Sequence, residues 1–461
     1  MRGSSTVMRL INLLSKRSIA VLFAAFCLYG QQSVILRTAP GSATGVNSDY
    51  ALTVSRTLDS QGCVQLVSFP DTVSASAFLQ TASLDARIVS AENEQPTQVP
   101  ESDHSSAVAT PATSGNIDAL GTVSTTPISY YGNTVWEGYA QQPVTELTEL
   151  PAALARFGPG GGLVAIIDTG VDSDHPALEG IFIQGYDFLN DQPGIPTDLT
   201  DLSQSTAALL NQIPQAASSS LPVSFDLNQS TVALLDQSTV ALLDQSTVAL
   251  LDSNSLPAAF GHGTMVSGLI HLVDPAAQIM PLRAFHADGS GNLSDIVRAI
   301  YYATDHGAQV INMSFSSPVF SPALTAAINY ASSHNVVSVA SAGNQGREIA
   351  VFPASLRGVI GVASTNHADI RSIFSNYGEG SARIAAPGEA LVTPYPGVGY
   401  AGVWGTSFSS ALVSGAAALA LSDFPAIDNG DILLGLRAGV PVPGQGIGGV
   451  RLDVLSLLRS Y

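Results

Sequence analysis

The sequence predicts an α/β fold with a mostly parallel central sheet and helices on both of its faces, preceded by a small α+β domain. Three observations predict it. First, after Gly162 five short runs, residues 163–167, 278–282, 309–313, 336–340 and 359–363, are apolar at alternate and intervening positions alike, as strands covered on both faces must be. Second, helical periodicity fills the gaps between them, with Ser294 and Gly307 bounding one helix and Ser321–Pro322 and His334–Asn335 bounding another. Strand and helix in alternation make a parallel sheet. Third, residues 34–95 carry shorter apolar strands at 34–36, 64–69 and 86–89 around a helical stretch at 72–80, the size and mixture of a separate α+β unit.

The elements follow in order along the chain. Arg2, Arg9, Lys16 and Arg17 precede an uncharged apolar run over 18–30, the layout of a signal peptide spanning residues 1–30, so the protein is expected to be secreted. The alternative is an uncleaved anchor, but the run falls short of the ~20 residues a membrane-spanning helix needs. Removing the leader leaves Cys63 as the one cysteine, and no internal disulfide follows. Residues 31–95 form the α+β domain. Residues 96–128, rich in Ser, Thr, Pro, Ala and Gly, are too poor in large apolar side chains to bury anything and read as a linker. Residues 129–461 form the main domain, interrupted at 197–256 by a low-complexity insertion. There the octad QSTVALLD begins at Gln229, Gln237 and Gln245, with a looser copy at Gln204. Eight residues turn a helix by ~800°, so the apolar patch drifts by ~80° per copy and makes no continuous stripe. As a strand, neither face would be apolar.

Asp and Glu outnumber Lys and Arg 36 to 17, for a formal net charge of -19, and no basic stripe exists to neutralise phosphates, so nucleic acid is excluded as a partner. The chemistry that the sequence does offer is nucleophilic. Asp168 ends the run LVAII and opens the turn DTG, at the carboxyl edge of the predicted sheet where open α/β folds build their sites. His262 lies in GHGTMVSG, with glycines on either side and a helix following. Ser407 lies in GTSFSSALVSGAAALAL, a turn running straight into a helix of small apolar residues, and Asn344 lies in SAGNQG after another buried strand. Singly these are a turn Asp, a helix-capping His, a Ser N-cap and a left-handed turn Asn. Together they supply what hydrolysis by an alcohol requires: a hydroxyl, a base to take its proton, an acid to orient the base, and a donor for the developing oxyanion.

The order Asp, His, Asn, Ser, with the blocks VAIIDTGVDSDHPAL, GHGTMVSG, VINMSFSSP, SAGN, AAPG and GTSFSSALVSGAAAL, resembles the subtilisin-type serine peptidases over about residues 135–458. The resemblance implies a three-layer subtilisin-like fold and a serine endopeptidase acting through an acyl-enzyme. In that reading Asp168 orients, His262 is base then acid, Ser407 is nucleophile, and Asn344 with the Ser407 N–H forms the oxyanion hole. It also implies that Ser314, Phe315 and Ser316, in an edge strand, pair with an extended polypeptide substrate, with Ser341, Ala342 and Gly343 completing a cleft suited to apolar side chains. Residues 31–95 resemble the family's inhibitory propeptide, making the chain its own intramolecular inhibitor, and the protein is expected to act as a monomer. No cofactor is required for that chemistry. Structural calcium is frequent in the family, and Asp187, Asp191 and Asp198 could contribute to it with no site assigned. The sequence departs from the family where Phe408, Ser409 and Ser410 follow the nucleophile without the usual proline, where Met265 follows HGT, and where Ser316 replaces a frequent glycine.

Other readings are weaker. A lipase or esterase would place its serine first in chain order within GxSxG, whereas Ser407 comes last and Ser409 takes the place of the second glycine. A binding or adhesion protein on the same scaffold, using the octads, stands second. The remaining histidines lack HExxH or paired spacing, His175 reads as structural, and GPGGG at 158–162 precedes a strand where a phosphate loop would follow one.

Overall fold

The computed structural model describes residues 32–99, 123–202, 256–378, 380–397 and 399–461. The leader, most of the linker and the octads lie outside these residues. By internal contacts the chain divides into two units: one made by the N-terminal residues up to Gln95 together with Ser321–Ala323, the other by the remainder.

The N-terminal unit is an antiparallel sheet of order β2-β3-β1-β4, built from β1 (Gln32–Thr38), β2 (Thr53–Thr57), β3 (Val64–Phe69) and β4 (Ile88–Asn93). Helices α1 (Ala43–Asp49) and α2 (Thr72–Ala82) complete it. Asp71 accepts the Ser74 N–H at 2.7 Å and so caps α2, turning Ala75 and Phe78 onto Val34, Leu36 and Val67. Helix α1 and strand β2 were not legible in the sequence: the first is two turns without an apolar stripe, the second an exposed edge.

The larger unit opens with β5 (Pro96–Gln98), then the hairpin β6 (Pro127–Tyr130) and β7 (Asn133–Trp136) and the short helices α3 (Glu137–Ala140), α4 (Pro143–Leu147) and α5 (Leu150–Phe157). Its core is a ten-stranded sheet of order β10-β9-β11-β8-β13-β14-β15-β16-β20-β19. The strands are β8 (Leu163–Asp168), β9 (Gly185–Asp187), β10 (Gln192–Gly194), β11 (Gln278–Arg283), β13 (Val310–Met313), β14 (Val337–Ser341), β15 (Val359–Thr365), β16 (Ile384–Pro387), β19 (Val440–Pro441) and β20 (Val450–Arg451). Every pair is parallel except β10/β9 and β19/β20 at the two edges. Residues of β13, β14, β15 and β16 are buried without exception, so helices cover the sheet on both faces, as the continuous apolar runs predict. Those helices are α6 (His262–Val273), α7 (Leu293–Asp305), α8 (Pro322–Ser333), α9 (Thr406–Asp423), α10 (Asn429–Leu436) and α11 (Val454–Leu458). An antiparallel ribbon of β17 (Leu391–Tyr395) and β18 (Gly399–Val403) packs on α6, and β12 (Ser290–Asn292) pairs antiparallel with β5.

Helix α9 is buried from Thr406 to Leu421 on all its faces, which its small residues permit and a polar face would forbid. At Gly415 a Cβ would come within 2.9 Å of both the Ile270 carbonyl oxygen and the Val273 Cβ, so the absence of a side chain sets how closely α9 crosses α6. Three sequence expectations shift in detail. Helix α7 starts at Leu293 with Asn292 as its N-cap, two positions before the predicted cap Ser294. The stretch read as linker from residue 96 begins as strand β5. The GPGGG turn holds a carboxylate, because the Gly161 and Gly162 N–H groups donate to Asp274 at 3.0 and 3.3 Å. The base of the insertion is also fixed. Asp201 accepts the Ala287 N–H at 2.6 Å and an Arg283 Nη2 hydrogen bond at 2.7 Å, while the Ala259 N–H donates to the Ala287 carbonyl at 2.8 Å.

Asp274 is buried, and burial pushes its carboxyl up to about 7 from 3.8. A proton is therefore held more tightly in the folded chain than in the unfolded one. The resulting stabilisation is full below about pH 4, declines as the pH climbs, and is gone above about pH 7. Melting temperatures measured at pH 5 and pH 8 are expected to fall less in Asp274→Asn than in its parent; an unchanged slope would locate the titration elsewhere.

Candidate active site

Because the central strands run parallel, their carboxyl ends share one rim, and Asp168, the last residue of β8, stands there opposite Arg283 of β11. Helix α6 begins at that rim with His262, after Gly261 in a left-handed conformation at φ 80°. The two side chains meet in the interior: His262 Nδ1 lies 2.7 Å from Asp168 Oδ1, with the imidazole 0% and the carboxylate 2% exposed. A carboxylate at that distance requires the proton on Nδ1, which leaves Nε2 as the basic nitrogen. The Thr169 N–H donates to the same Oδ1 at 2.8 Å and fixes the carboxylate. Gly263 is obligatory beside it, since a Cβ there would collide with the Gly170 carbonyl oxygen.

Ser407 is the second residue of α9, after Gly405 at φ 155°, ψ 155°. Its neighbour Phe408 packs its ring 5.7 Å from that of His262, so the start of α9 abuts the start of α6. The Ser407 Oγ–H donates to the Ser314 carbonyl at 3.3 Å, and the Ser407 carbonyl accepts from Ser314 Oγ at 3.1 Å and Ser410 Oγ at 2.8 Å. Asn312 Nδ2 in turn donates to Ser314 Oγ at 2.8 Å. Asn344 faces the same helix start, with its Oδ1 accepting from the Thr406 N–H at 3.0 Å and the Thr406 hydroxyl at 2.8 Å. With its oxygen committed to Thr406, the Asn344 amide can offer only N–H groups elsewhere. The Gly343 N–H, from a residue at φ 90°, also donates to Thr406 Oγ1 at 3.1 Å.

The cleft residues divide by what their side chains do. Residues 314–317 are not an edge strand of the sheet. They continue β13 past its end, where Ser316 bridges antiparallel to Gln98 and Ser317 to Phe352. The Ser314 side chain is turned under Ser407, and Phe315 is buried against Phe285 with ring centroids 5.2 Å apart. Ser341 donates to the Phe315 carbonyl at 3.5 Å, and the Ala342 N–H donates to the Val362 carbonyl at 2.9 Å, extending β14. Ser316 is the residue of this group whose hydroxyl approaches Gly343 across the gap between the two segments. Between β12 and Ser316 lies β5 as a third, antiparallel strand: Ser290–Asn292 pairs with Pro96–Gln98, Gln98 bridges Ser316, and the Val99 N–H donates to the Gly289 carbonyl at 3.0 Å. Thr97 and Val99 are buried there.

The three carboxylates weighed for calcium are separately engaged. Asp187 accepts from Arg283 Nη1 at 2.9 Å and from the Leu189 and Asn190 N–H groups. Asp191 pairs with Arg298 at 2.6 Å and accepts the Tyr186 hydroxyl. Asp198 is buried between two threonines. Among the described residues no group of three or more His, Cys, Asp or Glu side chains converges on a common point where a metal ion would bind. His175 is structural, as its sequence block implies: Nε2–H donates to the Gly399 carbonyl at 2.9 Å, Nδ1 accepts the Ala177 N–H, and burial lowers its pKa to about 4. Thr169, Thr264, Thr406 and Ser410 were not singled out in the sequence, although all four sit inside the quoted blocks; Asp198 was weighed only for calcium.

A family model, Peptidase_S8, described as the subtilase family, matches residues 160–434, more than half of the chain. Among curated proteins, the thermophilic serine proteinase of Bacillus sp. (strain AK1) is 32% identical over 290 residues, covering 63% of this chain and 59% of that protein. Thermitase of Thermoactinomyces vulgaris is 30% identical over 272 residues, covering 57% of this chain and 75% of thermitase. Among solved structures, fervidolysin from Fervidobacterium pennivorans, described as a keratinolytic enzyme related to subtilisin, superposes with a TM-score of 0.64 at 20% identity, over 94% of this chain and 61% of that one. The chain thus spans about three fifths of the length of the first and last of these. At 20% identity the fervidolysin likeness bears on the fold alone.

Thr406→Val removes the hydroxyl that holds Asn344 Oδ1 and accepts the Gly343 N–H, two hydrogen bonds at about 1 kcal/mol each. Modification of Ser407 by a fluorophosphonate is expected to slow by roughly tenfold or more in that variant, as followed by mass spectrometry; labelling at the parent's rate would show that Asn344 needs no such support.

Proposed function

The chain belongs to the subtilase family, and on that premise we propose that it is a secreted serine endopeptidase acting on polypeptides through an acyl-enzyme. His262 Nε2 takes the proton of Ser407 as Oγ bonds to the scissile carbonyl carbon. The carbonyl oxygen, now anionic, is met by the Asn344 amide and the Ser407 N–H at the start of α9. His262 then returns the proton to the leaving amine as the C–N bond breaks, and a water repeats the sequence to release the acid. Asp168 stays ionised throughout and stabilises the imidazolium. What carries this reading is the buried 2.7 Å hydrogen bond from His262 Nδ1 to Asp168, which sets the imidazole's tautomer while the starts of α6 and α9 abut.

In the same reading residues 31–95 are the chain's own inhibitor. Strand β5 supports it, because an extended segment sandwiched antiparallel between β12 and Ser316 has the backbone pairing of a bound peptide. Ser316, which β5 bridges, lies two residues beyond Ser314, whose carbonyl accepts the Ser407 hydroxyl, so self-cleavage is expected within a few residues after Val99. Export rests on the leader at residues 1–30; among the described residues no helix is long and apolar enough to cross a membrane.

N-terminal sequencing of the protein recovered from an expressing cell tests both parts together. The parent chain is expected to begin shortly after Val99, and Ser407→Ala to keep residues 31–99 attached. Equal processing of the two would show that another protease makes the cut, and a parent that leaves an unfolded protein substrate intact would remove the endopeptidase reading.

A further inference from the structure

Behind the Asp168–His262 pair lies a second buried carboxylate. Asp198 begins a 3₁₀ turn (Asp198–Asp201), and among the described residues its hydrogen-bond partners include no lysine, arginine or histidine side chain. Its Oδ2 accepts the Thr264 hydroxyl at 2.5 Å and its Oδ1 the Thr169 hydroxyl at 2.9 Å. Each hydroxyl has one proton, and giving it to Asp198 turns the oxygen's lone pairs to the other side. There Thr169 Oγ1 accepts the Gly263 N–H at 3.2 Å and Thr264 Oγ1 accepts the Asp172 N–H at 2.7 Å. Thr169 follows Asp168, and Gly263 follows His262. The two hydroxyls therefore stitch the turn 168–172 to the first turn of α6, and the carboxylate dictates the direction in which both point.

We infer that Asp198 is a positioning residue for the reaction, holding Asp168 and His262 in register through the Thr169 and Thr264 hydroxyls. The inference rests on the Asp168–His262–Ser407 reading above. Keeping a carboxylate here is costly. Burial first, and then the charges of Asp168 and Asp172, push its carboxyl up to about 7 against the pull of the two hydroxyl donors, and the nearby Arg283 spends its guanidinium on the Thr169 carbonyl, Asp187 and Asp201. An amide at 198 would present an N–H₂ to one hydroxyl and force it to reverse, breaking its bond to the backbone N–H behind it. A group retained only to fill space would tolerate that exchange.

The test uses the full chain as parent, Asp198→Asn, Thr264→Val and Thr264→Ser, with two readouts: the downfield proton resonance of His262 Nδ1–H and the steady-state constants on a peptide substrate. Asp198→Asn and Thr264→Val are expected to shift or broaden the resonance at temperatures below their own melting points. They are expected to lower kcat by about 10- to 100-fold, the scale of a misplacement near 1 Å, with KM within about twofold. Thr264→Ser, which keeps the hydroxyl, is expected to restore both. Should Asp198→Asn not fold, the Val and Ser variants at 264 decide. An unmoved resonance with kcat within twofold of the parent overturns the inference, as does a kcat loss that Thr264→Ser fails to rescue. A parent with an intact His262 resonance but no peptidase activity overturns the endopeptidase reading instead, and the response of the resonance then decides the inference alone.

Discussion

An imidazole and a carboxylate 2.7 Å apart with water excluded stay together only if the backbone on either side is already fixed. Each would otherwise be better solvated apart, since removing a charge from water is repaid only by good geometry and further hydrogen bonds. Asp168 is fixed by being the last residue of a strand paired with β11 on one side and β13 on the other. His262 is fixed by opening a helix that α9 presses from behind. The crossing of those two helices depends on Gly415, the contact at the turn on Gly263, and the stitching on Thr169 and Thr264. The parallel sheet, the small-residue helix and the glycines beside the histidine are thus parts of one requirement, a dry pair of ionisable groups held at a rim.

The same burial that sharpens the pair costs the fold elsewhere. Asp198 and Asp274 each sit in the interior, where burial pushes each carboxyl up to about 7. Both lie at joints: Asp274 where the Gly160–Gly162 turn enters β8, Asp198 where the insertion leaves the Asp168 turn. A neutral side chain would relieve the desolvation, yet it could not accept two donors at once from fixed directions as well as a carboxylate does. The stability of this chain and the shape of its site consequently draw on the same few buried acids.

Much of this was legible beforehand, for identifiable reasons. A strand covered on both faces writes an uninterrupted apolar run, so the five central strands were placed to within a residue or two of β8, β11, β13, β14 and β15. Edge strands of two or three residues, such as β9, β10, β19 and β20, leave no such run and could not be found. The cap of α7 shifts by two positions because Asn292 and Ser294 are both good cap types. The four candidate site residues were singled out because each lies in a block dense with glycine and small residues at the end of a core element. Asp198 was seen only as one of three acids near a turn. Its role follows from contact with Thr169 and Thr264, 29 and 66 residues away, and no local pattern records such a contact. The turning of Ser314 beneath Ser407 was hidden for the same reason: residue type names a hydroxyl but not the side of the chain on which it points.

Ala287 grips both margins of the interruption that bears the octads, its N–H bound to Asp201 and its carbonyl to Ala259. Whatever the segment between them contains, its two ends are bound to the two backbone groups of one residue of the frame, and lengthening a closed loop adds only about 0.6 kcal/mol for each doubling. Copies of QSTVALLD can therefore be gained or lost, as tandem repeats readily are, while the distance from Asp168 to His262 stays what it was. One alanine's N–H and carbonyl thus separate the repeat number from the spacing of Asp168 and His262.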